Sequence, residues 1–339
     1  MILLDGSTGE GGGQVLRTAL SLSMVTGTPF VIENIRAKRR RPGLMRQHLT
    51  ALAAAQAICH ATVEGGELGS CRLQFTPGPV RGGKYRFAVG TAGSATLVLQ
   101  TVLPALMIAG EPSELQLSGG THNPFAPPYP HLAECFLPWI NKMGPRVEAE
   151  LHRPGFYPAG GGEFSVRIEP CSRLAPIDIA ARGTIVRRTA RILVAGLASG
   201  IAERQRELLM QWTTLGSEDI VVEILPNSVG PGNAVVLSLQ AEHITEILVG
   251  CGEKELSSAA MIERLVKEMR TYISSNAPVG RHLADQLLLP MALAGSGRFV
   301  TMPLSSHAQT NIEVIRRFLS VPIVAVSQPD GLAEVQIGR

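Results

Sequence analysis

Residues 11–36 read GGGQVLRTALSLSMVTGTPFVIENIR: an apolar helical pattern of about three turns that starts at glycine, stops at Gly27 and resumes as a short strand. The pattern returns at residues 93–120, GSATLVLQTVLPALMIAGEPSELQLSGG, and at residues 280–306, GRHLADQLLLPMALAGSGRFVTMPLSS. A polar anchor sits early in each predicted helix, at Arg17, Gln100 and Gln286. Glycine follows ten positions later in the first two copies (Gly27, Gly110) and nine in the third (Gly295). A second helical stretch then begins at Pro42, Pro130 and Thr310, followed by strand-like runs such as RLQFT, EFSVRIEP and PIVAVSQ. Repetition of this kind predicts an α/β (α+β) fold of three repeated units, each two helices packed on a four-stranded sheet.

The spacing of the anchors locates an insertion. Arg17 and Gln100 are 83 residues apart and Gln100 and Gln286 are 186 apart, an excess of 103, which is a small domain's length of chain. Residues 183–277 carry their own pattern, with ARILVAGL, DIVVEIL, AVVLSLQA and TEILVGCG as strands and two amphipathic helices. The expected organisation is therefore a domain of three repeats over 1–182 and 278–339, with a smaller α/β domain inserted at 183–277.

Bulk properties narrow the class. The 339 residues are 45% hydrophobic, and Lys+Arg exceed Asp+Glu by only three, so no global field demands a polyanionic partner. Cys59, Cys71, Cys135, Cys171 and Cys251 are odd in number and scattered, which predicts buried, reduced thiols rather than a disulfide framework. MILLDGSTGE lacks a basic leader and a long apolar core, and no run approaches the roughly 20 apolar residues of a membrane span. The expectation is a cytoplasmic protein with no membrane partner and no obligatory protein partner.

Phosphate chemistry is suggested by the loops. DGSTGEGGGQVLR gathers glycines before a helix, where close backbone approach and unpaired N–H groups suit an anion. It is neither a P-loop nor a strict dinucleotide fingerprint, because Gln14 falls where the third glycine should be. Glu10 within it is a candidate Mg²⁺ or Mn²⁺ ligand, since a carboxylate beside phosphate groups requires an intervening cation. IRAKRRRPGLMRQH places Arg36, Lys38, Arg39, Arg40, Arg41 and Arg46 in one short run, and the arginine fork suits phosphate oxygens. With 15 aromatic residues in the chain, contact with a strand end is favoured over a long stacking platform. His307 stands before the third copy's second helix, 21 positions after its anchor, where the other copies have Lys38 and Thr121. The architecture thus does not require histidine there, which points to a special role.

Together DGSTGEGGGQVLR, RPGLMRQHL, RGGKYRFAVGTAGSATLVLQTVLPAL, SGGTHNPFAPP, GFYPAGGGE, VGRHLADQLLLPMALAG and HAQTNIEVI resemble the RNA 3′-terminal phosphate cyclases over essentially the whole chain. The resemblance implies a ligase-type nucleotidyl transferase acting on RNA 3′-phosphate ends with ATP as co-substrate and Mg²⁺ or Mn²⁺. His307, in the family's His-x-x-Thr-Asn motif, would become covalently adenylylated. AMP would then pass to the RNA, giving an RNA(3′)pp(5′)A end, and the 2′-OH would expel AMP to leave a 2′,3′-cyclic phosphate. By the same resemblance Glu10 looks like the metal carboxylate, and Arg36 and Arg39 like groups that contact the RNA phosphate. Arg17, Gln47, Gln100, Pro127, His131, His282, Leu283, Ala284, Asp285 and Gln286 look like the nucleotide pocket. His131 and His282 depart from the pattern, standing where the family often has aromatic rings. Two other readings compete: a non-catalytic cyclase-like RNA-binding protein, which would lack the nucleophile, and an enolpyruvyl-type transferase, which would leave His-x-x-Thr-Asn unexplained.

Overall fold

The computed structural model describes residues 1–9 and 11–338. Strand β1 (Ile2–Asp5) leads into helix α1 (Gln14–Thr26), which returns the chain to β2 (Phe30–Glu33), parallel to β1. Helix α2 (Arg46–Cys59) then crosses to the antiparallel pair β3 (Thr62–Glu64) and β4 (Leu73–Thr76), giving the strand order β1-β2-β4-β3. The second unit repeats this path. It runs through β5 (Gly83–Ala88), α3 (Ala95–Leu106), β6 (Ser113–Gly119), α4 (Tyr129–His131), a π-helical turn (Leu132–Phe136), α5 (Leu137–Lys142), β7 (Arg146–Arg153) and β8 (Gly162–Glu169). Its sheet order is β5-β6-β8-β7, the same permutation.

The third unit opens with β9 (Asp178–Ile179), only two residues long. The chain then leaves to build a fourth sheet from β10 (Ile185–Ala195), β11 (Ile220–Ile224), β12 (Gly232–Ala241) and β13 (Thr245–Cys251), with α6 (Gly200–Trp212) and α7 (Ser258–Ser275). It returns through α8 (Arg281–Ala294), β14 (Gly297–Thr301), α9 (Ser306–Phe318), β15 (Ile323–Ser327) and β16 (Ala333–Ile337). β9 still pairs parallel with β14, through Asp178 opposite Arg298 and Ile179 opposite Phe299, so the third sheet keeps the order of the others. A bidentate Arg298–Asp178 contact, 2.9 Å at its shortest, ties this edge strand down across 120 residues of sequence.

The central strand β12 of the fourth sheet and the second half of β10 are buried on both faces, which explains the nearly continuous apolar run of β12. Ile192, Val194, Val235 and Leu237 join the core under α6 and α7, while the alternate residues Leu193, Ala195, Ala234 and Val236 join the larger core of the repeats. No helix among the described residues is long and apolar enough to cross a membrane. Cys59, Cys135 and Cys251 are buried free thiols, but Cys71 is exposed and Cys171 is half-buried, contrary to expectation; both lie in connections outside helices and strands.

Several boundaries differ from the sequence reading. α1 and α8 end at Gly27 and Gly295 in left-handed geometry, as the pattern implies, whereas α3 stops at Leu106 and Gly110 caps nothing. α2 starts at Arg46 rather than Pro42, because Gly43 adopts φ 80° and Met45 is extended. α9 starts at Ser306, four residues before Thr310: the Ser305 hydroxyl accepts from the Ala308 N–H at 3.0 Å and caps the helix early. His307 therefore lies inside the first helical turn, not on the loop before it.

Candidate functional site

The N-terminal turns of α1, α2, α8 and α9 converge with α3 and the loop 123–128 around a cleft of about 630 Å³. Proline shapes it locally. Pro104 and Pro290 follow Gln100 and Gln286 by four residues, so each removes the N–H that would bond the anchor's carbonyl in a regular helix. The Gln100 side chain donates to the Gln286 side chain at 2.7 Å, joining the anchors of the second and third units across the cleft.

A chain of hydrogen bonds runs from the third unit to the first. Gln14 Nε2 donates to Asp285 Oδ1 at 2.8 Å, and Gln14 Oε1 lies 2.8 Å from His307 Nδ1. Because the carboxylate can only accept, the Gln14 amide is oriented with its oxygen toward the imidazole. His307 Nδ1 must then carry the proton, which puts the ring's lone pair on Nε2. Burial raises the Asp285 pKa, and the bond from Gln14 acts against that rise. Asn311, one helical turn after His307, donates to the Asp285 carbonyl at 3.0 Å and accepts from the Thr18 hydroxyl at 2.8 Å. His307 itself is exposed, so its position depends on these polar contacts rather than on packing.

The α1 end of the cleft is built for negative charge. Among the described residues no side chain caps the first turn of α1, and Gly12, Gly13 and Gln14 bring the positive end of the helix to the cleft. Gly13 matters here: a Cβ on it would lie 2.3 Å from His48 Nε2 and 2.6 Å from an Arg17 guanidinium nitrogen. His48 Nδ1 accepts from the Met45 N–H at 3.0 Å, so its proton sits on Nε2, beside Gly13. Burial, reinforced by Arg17 and Arg36, holds the His48 pKa down to about 3, leaving a neutral N–H donor. Arg36 has φ 54° and donates to the carbonyls of Arg41 (2.7 Å) and Gly43 (2.9 Å), bracing its own loop.

Buried neutral histidines make a testable demand on stability. Burial holds His122 down to about 4 and His131 down to about 3, alongside His48. A group whose folded pKa lies below its unfolded value favours the native state above pH 6.5, and that stability is lost as pH falls toward the folded pKa. At pH 5 each of the three costs about 2 kcal/mol. Glu246, which burial raises to about 8, gains stability as pH falls and offsets part of this loss. The urea midpoint should therefore still fall between pH 7 and pH 5, and less so in His122→Phe. A wild-type midpoint flat over that interval would refute the assignment.

Arg17, Arg36, Arg39, Gln47, Gln100, Pro127, His131, His282, Asp285, Gln286 and His307 all line the cleft. Leu283 and Ala284 do not. They are 0% and 2% exposed, facing the core on the opposite side of α8 from His282, Asp285, Gln286, Leu289 and Pro290, as helical periodicity requires. Glu10 lies outside the described residues. Of the basic run only Arg36 and Arg39 reach the cleft wall.

The count of 21 residues does not mark equivalent positions. The second helix begins 29 residues after Arg17 and after Gln100 but 20 after Gln286, because the third unit's connection is shorter. The structural counterparts of His307 are thus Gln47 and Pro130, each the second residue of its helix, and not Lys38 or Thr121. Thr121 is buried and structural, its hydroxyl accepting from Gly155 N–H at 2.9 Å. The first two units do carry a histidine in this turn, one position later, at His48 and His131, and both are buried. Gln14, Thr18, His48 and Asn311 were not singled out from sequence. Only the Thr-Asn of the motif pointed toward Asn311.

A family model described as RNA 3′-terminal phosphate cyclase matches residues 8–324.

Proposed function

Because the chain belongs to the RNA 3′-terminal phosphate cyclase family, we propose that it converts RNA 3′-phosphate ends to 2′,3′-cyclic phosphates with ATP, through a covalent histidyl-AMP. The observation that carries this reading is the Asp285–Gln14–His307 chain, which holds the Nδ1 side of the ring and leaves Nε2 to act as the nucleophile. Nε2 attacks the α-phosphorus of ATP, and the bond to pyrophosphate breaks. The departing charge is taken by the N–H groups of the α1 first turn, Arg17 and the His48 Nε2–H. An oxygen of the RNA 3′-phosphate then attacks the same phosphorus, the N–P bond breaks and His307 is regenerated. The 2′-OH finally gives up its proton to solvent as its oxygen attacks the 3′-phosphorus, and the bond to AMP breaks.

Arg36 and Arg39 serve the RNA phosphate, while Gln100, Pro127, His131, His282, Asp285 and Gln286 enclose the nucleoside and Gln47 sits beside the reacting phosphates. Gln47 is held by the Ser94 N–H at 2.9 Å, and Pro127 by the Thr96 hydroxyl at 2.6 Å from its carbonyl. Mg²⁺ or Mn²⁺ at Glu10 would neutralise phosphate charge when bound.

The test is a denaturing quench after incubation with a divalent cation and either α- or γ-labelled ATP. An acid-labile, alkali-stable protein adduct should form from the α label alone. Absence of an adduct would overturn the reading in favour of an RNA-binding protein without catalysis.

A further inference from the structure

Behind the cleft wall, two distant segments bring three metal-ligating side chain types together. His131 closes α4, Cys135 follows one turn later in the π-helical turn, and Glu246 comes from β13 of the fourth sheet. Their ligand atoms all lie within 4.8 Å of one another. The residues are 3%, 1% and 1% exposed. Among them neither ring nitrogen of His131 has a hydrogen-bond partner, and neither does Glu246 Oε2. Orphaned polar atoms in an interior are costly, so an unpartnered imidazole and an unpartnered carboxylate oxygen beside a buried thiol call for an occupant. Backbone closes around the carboxyl as well: the Gly280 N–H donates to Glu246, and a Cβ at Gly280 would lie 2.1 Å from Oε1.

We propose that His131, Cys135 and Glu246 form a binding site for a zinc-class transition-metal ion, distinct from the Mg²⁺ or Mn²⁺ expected at Glu10. The donor set decides the class: thiolate and imidazole suit zinc and its neighbours, whereas magnesium and calcium demand oxygen ligands. Ligand atoms around tetrahedral zinc stand about 3.5 Å apart, so the triad needs to contract by roughly 1 Å, with water as fourth ligand. Cys135 Sγ–H loses its proton to solvent on binding, as does a protonated Glu246, and no electron transfer is involved. Without the ion, burial keeps the triad uncharged, lowering the His131 pKa to about 3, raising Glu246 to about 8 and pushing Cys135 up.

Occupation would pin β13 to the π-helical turn. His131 and the β13 residues Ile247, Leu248 and Val249 all line the cleft, so the ion would rigidify that wall. The spacing His131-x-x-x-Cys135 alone is two ligands on one helical face; Glu246 joins them only in the fold.

The full chain, stripped with chelator and reloaded with Zn²⁺, should retain about one zinc per chain through dialysis and melt at a higher temperature than the stripped protein. Reloading with Co²⁺ should give tetrahedral d–d bands and a thiolate-to-cobalt charge-transfer absorption. That absorption should vanish in Cys135→Ser and persist in Cys71→Ser. His131→Phe and Glu246→Gln should each weaken zinc binding at least tenfold. A wild-type protein that retains no zinc, or a charge-transfer band that survives Cys135→Ser, would overturn the proposal. Should Cys135→Ser not fold, the shape-conserving Glu246→Gln decides: unchanged zinc affinity there has the same consequence.

Discussion

His307→Ala is expected to abolish labelling of the protein by α-labelled ATP and to lower cyclisation of RNA 3′-phosphate by at least about a thousandfold. Covalent transfer divides one difficult displacement into easier ones, and alanine offers no atom to accept the AMP. The fold should survive. His307 is exposed, and the cap of α9 depends on the Ser305 hydroxyl and the Ala308 N–H rather than on the imidazole. The variant's melting temperature should stay close to wild type, which separates lost chemistry from lost structure. Label that persists in a folded His307→Ala protein would show that another residue carries the nucleotide.

Gln14→Ala should reduce the rate of self-adenylylation at saturating ATP by about a hundredfold, roughly 2.7 kcal/mol of barrier, with a much smaller change in the ATP concentration at half-maximal rate. Gln14 is a positioning residue. It fixes the His307 tautomer through Nδ1 and passes the orientation back to Asp285, and without it the ring can rotate or protonate Nε2. Loss of packing alone would not separate rate from affinity in this way. Gln14→Glu should not rescue the rate, because a second carboxylate would face Asp285 at hydrogen-bond distance. A Gln14→Ala enzyme with wild-type rate would remove Gln14 from the mechanism.

The readable parts of this chain were those governed by local periodicity. Helices α1, α3 and α8 announce themselves by apolar spacing and α1 and α8 also by their glycine stops, and the anchors Arg17, Gln100 and Gln286 mark the repeat because each occupies the same turn of its helix. β9 gave no signal, since two residues cannot show alternation and its partner lies 120 positions away. The sequence pattern places the start of α9 at Thr310, but the Ser305 cap starts it four residues earlier, and that shift changes which residues of the other units correspond to His307. The resemblance places Leu283 and Ala284 in the nucleotide pocket, but the helical period turns them inward while Asp285 and Gln286 face the cleft.

By itself the sequence determined the repeated α/β unit, the stretch that builds the fourth sheet and the residues that resemble a cyclase site, because hydrophobic period and motif spacing are local properties of the chain. Only the tertiary structure decided that Gln14 stands between Asp285 and His307, that His48 presents a neutral N–H beside Gly13, and that Glu246 meets His131 and Cys135. Those contacts span 271 and 293 residues in the first case and join a helical turn of the second unit to the fourth sheet in the last. Hydrogen bonds and metal geometry depend on distances of a few ångströms between side chains, which no spacing along the chain encodes until the sheets and helices have packed.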